Sequence, residues 1–433
     1  MRKRWKTAIV MIMALTVSAA ASSCTTFDNF KEAFFSDKGA ASDMVRIGVL
    51  EPQTGNDSSK GELEIRGIEL AHKLFPEVLG KEVELVYADT QSSIYVAETA
   101  VADLIDKKPA VVLGSYGEAV SLVASRQLGE SKVPAIAITA TNPLITANNE
   151  YYFRVSFTDA SQGSALADFT YEYLGLAKAA VIREKDEDSV TEMISEYTKR
   201  MEELTKDTGA IAATIQVKRN AKDYSDCIER LQDTGAQGVF MPLPVSAAEK
   251  VFDAAEKAEL TNIVFIGPKD WSSKDVLRLQ AEYPGIKIAA ASDGMAAAAV
   301  QTPQQGTEDQ SAESDQTDQA ASKSEDDQID AAEDVQEQPE LYRQFLAAYE
   351  KEYGTSEPPE AAALGFDAYM IALQAIEKAG SIDGYLVKEA MKTTAGYTGA
   401  SGEISFDETG EPKKTIHVNM VQSGSIVTVY TVS

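Results

Sequence analysis

The chain has 433 residues, room for two domains, and its hydrophobic content of 44% is that of a globular protein. A formal net charge of −28 excludes a basic nucleic-acid-binding surface and opposes long-range capture of an anionic ligand. If one of the two cysteines, Cys24, carries lipid, Cys227 is alone and no internal disulfide can form.

Arg2, Lys3, Arg4 and Lys6 precede the apolar run Ala8 to Val17, and the small residues Ser18 to Ser23 lead to Cys24. This is the pattern of a secretory signal over 1–23. Its apolar run is too short for a membrane span, and no other run reaches roughly 20 apolar residues. A Cys just after small residues resembles a bacterial lipobox, with Ala21 where Leu is usual. Cys24 is then the lipidated N-terminus, and an acyl anchor holds the protein to the membrane. Ordinary cleavage nearby and an uncleaved anchor are the alternatives. Residues 24–43 read as a tether with no lasting period.

From Met44 the pattern alternates strand and helix. Val45–Leu50 reads as a strand, followed by the turn Glu51-Pro52-Gln53-Thr54-Gly55. Gly61–Leu74 is helical, with Ile65, Ile68, Leu70 and Ala71 on an apolar side. Val83–Ala88 is a strand and Ile94–Lys107 a helix. Ala110–Gly114 is a continuous apolar strand, as in a sheet covered on both faces. It exits through Ser115-Tyr116-Gly117-Glu118 into a helix beginning near Ala119, and helix N-termini present unpaired N–H groups. Ser115 and Tyr116 are either ligand contacts or plain loop residues. Glu118 faces an ammonium or merely complements the helix dipole. Pro134–Ile138 is another buried strand, ending in Thr139-Ala140-Thr141-Asn142-Pro143. Hydroxyls and free N–H groups at the carboxyl end of a parallel strand suit a carboxylate.

Tyr151–Val155 is a strand, and after Gly163 a second series begins: helix Ser164–Leu174, then strands at Ala179–Ile182, Ile211–Val217, Gly238–Met241 and Ile263–Gly267 with helices between. Cys227 reads as a semi-buried structural thiol. The acidic stretch 306–338 lacks aromatic residues and has too little apolar surface to order itself, so it reads as a disordered insertion or else an exposed charged helix. Helix Ala361–Ala379 carries Phe366-Asp367-Ala368-Tyr369, helix Gly384–Met391 follows, and strands run to Val432. His72 and His417 have no partners spaced for a metal. Alternation of this kind predicts an α/β protein of two doubly wound lobes. Neither a Gly-x-Ser-x-Gly elbow nor a His-x-x-x-His pair argues for a hydrolase. No cofactor, metal or catalytic group is expected.

The set Ala140-Thr141-Asn142-Pro143…Thr146, Tyr152-Phe153-Arg154 and Asp159…Gln162-Gly163 resembles the type I solute-binding proteins of branched-chain amino-acid ABC transporters, and the likeness extends more weakly from Val45 to the C-terminus. It implies the type I periplasmic-binding fold, with two lobes joined by a three-strand hinge. The first lobe is placed at 44–160 and 293–395, the second at 161–292 and 396–433, with crossings near 160, 292 and 395. The resemblance implies that Thr139, Ala140 and Thr141 hold a ligand carboxylate with help from Ser115. It places Lys269 where relatives carry a carboxylate for the ligand's ammonium, with Asp270 adjacent; Asp270 is the preferred ammonium partner and Glu118 the second. If Lys269 points inward instead, the ligand carries extra negative charge. Asp188 stands near the place of a covering aromatic in relatives, and Trp271 either lids the cleft or packs at the hinge. The implied function is delivery of a small amino-acid-like ligand to an ABC permease from outside the cytoplasm; a ligand-gated regulator acting on a partner protein is the alternative.

Overall fold

Strands that are apolar along their whole length need cover on both faces, and two sheets in this protein supply it. The computed structural model describes residues 44–219, 221–260, 262–295 and 339–432. The signal 1–23, Cys24, the tether 24–43 and the acidic insertion 306–338 lie outside the described residues. The first series is β1 (Met44–Glu51), α1 (Ser58–Leu74), β2 (Glu77–Val78), β3 (Lys81–Asp89), α2 (Ile94–Asp106), β4 (Val111–Gly114), α3 (Glu118–Glu130), β5 (Ala135–Ala137) and β6 (Tyr152–Arg154). The second is α4 (Asp159–Asp168), β7 (Ala179–Glu184), α5 (Thr191–Thr205), β8 (Ile211–Val217), α6 (Ser225–Thr234), β9 (Gly238–Phe240), α7 (Val245–Lys257), β10 (Val264–Gly267), α8 (Ser273–Glu282) and β11 (Lys287–Ser292). After these come α9 (Glu340–Tyr353), α10 (Glu360–Ala379), α11 (Gly384–Met391), β12 (Tyr397–Gly399), β13 (Gly402–Phe406), β14 (Pro412–Lys414), β15 (Ile416–Gln422) and β16 (Ser425–Val432).

One sheet has the order β2-β3-β1-β4-β5-β6, a second β16-β15-β11-β10-β9-β7-β8, and a small third β12-β13-β14. The pairs β1–β4, β4–β5 and β5–β6 are parallel, as are β8–β7, β7–β9, β9–β10 and β10–β11. Ile47, Val49, Val111 and Leu113 turn to one apolar cluster, and Leu50 and Val112 to another on the opposite face. The second sheet is sandwiched in the same way. This is the α/β doubly wound architecture expected from the strand pattern.

Two helices meet at backbone distance. A Cβ on Gly67 would lie 1.9 Å from Ala362 O, and one on Gly365 would lie 2.3 Å from Glu64 O. Glycine is required at both, and the close crossing of α1 and α10 carries Glu64 into the interior, fully buried.

Two expectations are corrected. The helix read as Ser164–Leu174 starts at Asp159, because Thr158 caps it: its hydroxyl oxygen accepts from Ser161 N at 3.1 Å. Residues 397–406 do not join the second lobe near 395. Tyr397, Ala400, Ile404 and Phe406 belong to the apolar cluster of the first sheet. Asp367 on α10 anchors them, accepting from Tyr397 OH (2.8 Å), Ala400 N (2.7 Å), Ser401 N (2.7 Å) and Ser401 OH (2.6 Å). The chain rejoins the second sheet only at Ile416. Cys227 is free and buried, and burial pushes its thiol up to about 12. Among the described residues no helix is long and apolar enough to cross a membrane, and no group of three or more His, Cys, Asp or Glu is placed to hold a metal.

Candidate ligand-binding site

The loop after β5 is shaped by one arginine. Arg154, at the end of β6, is fully buried. Its guanidinium donates to Ala140 O at 3.1 Å, Asn142 O at 2.7 Å and Thr146 Oγ1 at 3.0 Å, while Nε lies 2.9 Å from Glu411 Oε2. Thr146 donates in turn to Glu411. Burial pulls the arginine's pKa down and Glu411 opposes it. Asn142 caps the 3-10 turn Pro143–Ile145, accepting from Leu144 N at 2.9 Å. The spaced residues Ala140, Asn142, Thr146 and Arg154 are thus one planar fork and the carbonyls and hydroxyl it reads.

The carboxylate position in this loop is filled from within the chain. Glu118, the first residue of α3, accepts from Thr141 N at 2.9 Å and Asn142 N at 3.0 Å, with Thr141 Oγ1 at 3.3 Å. Both Glu118 oxygens thus bind the loop. Ser115 is fully buried and turned inward: its carbonyl accepts from Ser121 OH at 2.9 Å, with the two hydroxyl oxygens 3.4 Å apart. The Ala140 carbonyl is held by Arg154. Thr139 donates its hydroxyl to Glu64. The Thr139 hydroxyl and the Thr141 amide are thus already engaged within the chain.

Opposite, the loop after β10 sends Lys269 inward. Its ammonium donates to Thr139 O at 3.0 Å and Ser156 Oγ at 2.6 Å and pairs with Asp293 at 3.0 Å, and its N–H donates to Gln162 Oε1 at 2.7 Å. Burial alone would depress this amine, but Asp293 and Asp270 more than offset it and its pKa rises. Lys269 shares Asp293 with Lys414, which lies 3.7 Å from the same carboxylate. Asp270 is exposed yet close enough to act on the Tyr116 phenol, which burial, then Asp270, Glu64, Asp57 and Glu118 all push upward. Trp271 is not a lid. It is buried, its indole donates to Leu243 O at 2.8 Å, and its ring stands edge-on to Phe252. Asp188 sits in the exposed turn ahead of α5, where its carbonyl accepts from Thr191 N at 3.1 Å.

Sequence reasoning gave no role to Glu64 or Asp293 and read Glu51 only as part of a turn. Glu51, at the end of β1, and Glu64 are both fully buried. Glu51 Oε2 accepts from Tyr116 N at 2.9 Å. Glu51 Oε1 and Glu64 Oε2 have no hydrogen-bond partner among the described residues. Burial raises Glu64 to about 7 and, with the charge of Glu64, raises Glu51 well above the carboxylate range. Asp159 is likewise raised to about 7 by burial, against the Thr141 hydroxyl, which pulls it down. The signal that could have found Glu64 is its place on the inner stripe of α1, with Gly61, Gly67 and Ile68.

Residues 44–425 match a family model described as periplasmic binding protein. The chain is 25% identical over 215 residues to Leu/Ile/Val-binding protein homolog 6 of Brucella abortus, a match covering 47% of this chain and 52% of that protein, so it spans about half the length of that curated relative. Leu/Ile/Val-binding protein homolog 1 of Brucella abortus is 24% identical over 388 residues, with 87% of this chain and 89% of that one covered. The crystal structure of the leucine-binding protein LivK of Thermotoga maritima superposes with a TM-score of 0.70 at 26% identity, over 90% of this chain and 99% of the other.

Proposed function

Since the chain belongs to the periplasmic binding protein family, in its type I form akin to the Leu/Ile/Val-binding proteins, we propose that it is the extracytoplasmic substrate-binding component of an ABC importer. It binds a small amino-acid-like ligand between two lobes and presents it to a permease. It is a solute-binding protein, not an enzyme. Cys24 carries the lipid that holds it at the membrane. One observation carries the reading: the loop after β10 of one sheet reaches the loop after β5 of the other through the Lys269 bond to Thr139 O. The carboxyl ends of two parallel sheets therefore face each other, the usual place for a ligand in such folds. Rotation at the three chain crossings opens and closes them, a hinge motion that ligand biases.

A thermal-shift screen of amino acids, amides, amines and small peptides tests the reading; a saturable shift is expected for at least one class. No shift from any class, together with unchanged uptake in cells lacking the protein, would remove the transport role. Cys24→Ser should move the protein from the membrane to the soluble fraction, and retention of the variant would remove the lipid anchor.

A further inference from the structure

At the β5 loop, two backbone groups could receive the two charged ends of an α-amino acid: the Thr139 carbonyl for an ammonium, and the Thr141 amide, with Asn142 beside it, for a carboxylate. Both are taken. Lys269 Nζ lies 3.0 Å from Thr139 O, and Glu118 holds the Thr141 and Asn142 amides at 2.9 and 3.0 Å. A free amino acid arriving here would set its carboxylate against Glu118, a like-charge contact that strongly disfavours binding. Three acids near these loops are buried, Glu51, Glu64 and Asp159, and Asp270 is exposed beside Lys269; the charge of Lys269 reaches Glu64 and Asp159 but is outweighed by burial in both. The nearby cations are already committed, Lys269 to Asp293 at 3.0 Å and Arg154 to Glu411 at 2.9 Å. Two fully buried carboxyl oxygens, Glu51 Oε1 and Glu64 Oε2, have no hydrogen-bond partner among the described residues. An ammonium supplies what that pair lacks.

Resting on the reading of this cleft as the ligand site, we propose that Glu118 and Lys269 stand in for the charged ends of an amino acid, and that the ligand is an amine with no free carboxylate, held beside Tyr116 by Glu64, Asp159 and Asp270. The chain's charge of −28 draws a cation toward the cleft.

The test is calorimetry on the full chain with matched pairs, each an amino acid and its primary amide, across side chains of several sizes (alanine, leucine, phenylalanine, lysine). The amide of at least one pair should bind, with its acid about a hundredfold weaker or more, as the like-charge contact requires. Glu118→Ala should free the two amides and narrow that ratio to about tenfold or less. Glu118→Gln, which keeps the packing, should narrow it part of the way. An acid that binds as tightly as its amide, a ratio unmoved by either variant, or no binding by any amide each overturns the proposal. If the broader screen then yields a carboxylate-bearing ligand, the cleft remains a binding site and only this inference falls; if no class binds and uptake is unchanged in cells lacking the protein, the functional reading falls as well.

Discussion

Two groups of buried acids lie in the same molecule and titrate in opposite directions. Asp293 is buried as completely as Glu51 and Glu64, and desolvation pushes all three upward. For Asp293 the Lys269 and Lys414 ammonium groups, at 3.0 and 3.7 Å, outweigh that and hold it below the ordinary carboxylate range. On the Glu51–Glu64 pair the charge of Lys269 acts only on Glu64 and is outweighed by burial, and both pKa values rise. Burial is common to both sites, so the supply of counter-charge decides the sign.

The largest break of this contrast is Asp293→Ala, which leaves two buried ammonium groups without their shared anion. A loss of about 3–5 kcal/mol is expected in urea unfolding; a loss under about 1 kcal/mol would mean that solvent already screens the cluster. Next is the pH dependence. Glu64 titrates near 7 when folded against 4.5 when free, so the folded state holds a proton that the unfolded chain has released. Stability then falls as pH rises from 4.5 to about 7 and levels off above it. Asp293 works the other way: its contribution is present above its unfolded pKa and is lost as pH falls through its lowered folded one. Glu64→Gln keeps the shape, can still accept from Thr139 and donates to Glu51. It should stabilise the protein by ~1–3 kcal/mol at a pH above 7 and change little at a pH near 4.5. An equal effect at both pH values would show that Glu64 does not titrate between them. The smallest effect belongs to the surface pair Arg46–Glu84, 2.8 Å apart with each side chain more than a third exposed. Arg46→Ala should cost ~0–1 kcal/mol and less in high salt.

The architecture was readable because it is written in runs. Val111–Gly114 and Val264–Gly267 are apolar without a break, and the spacing from Ala140 to Arg154 reflects a fork that needs its partners at fixed offsets. The site was less readable because its logic is pairwise and long-range. Nothing local marks Glu118 as the partner of Thr141, and Lys269 reads as a free charge until Asp293 is placed beside it. The switch of 397–406 to the first lobe hides for the same reason, since it depends on Asp367 meeting Tyr397 and Ser401 across the fold.

Asp293 has one more consequence. It lies on the second crossing between lobes, just after β11. Its carboxylate accepts from Ser156 OH at 2.6 Å and lies 3.4 Å from Phe157 N, both on the first crossing, and faces Lys414 at the third. The three strands of chain are therefore geared to a single atom group. Twisting any one of them alone would strip hydrogen bonds or counter-charge from a buried carboxylate.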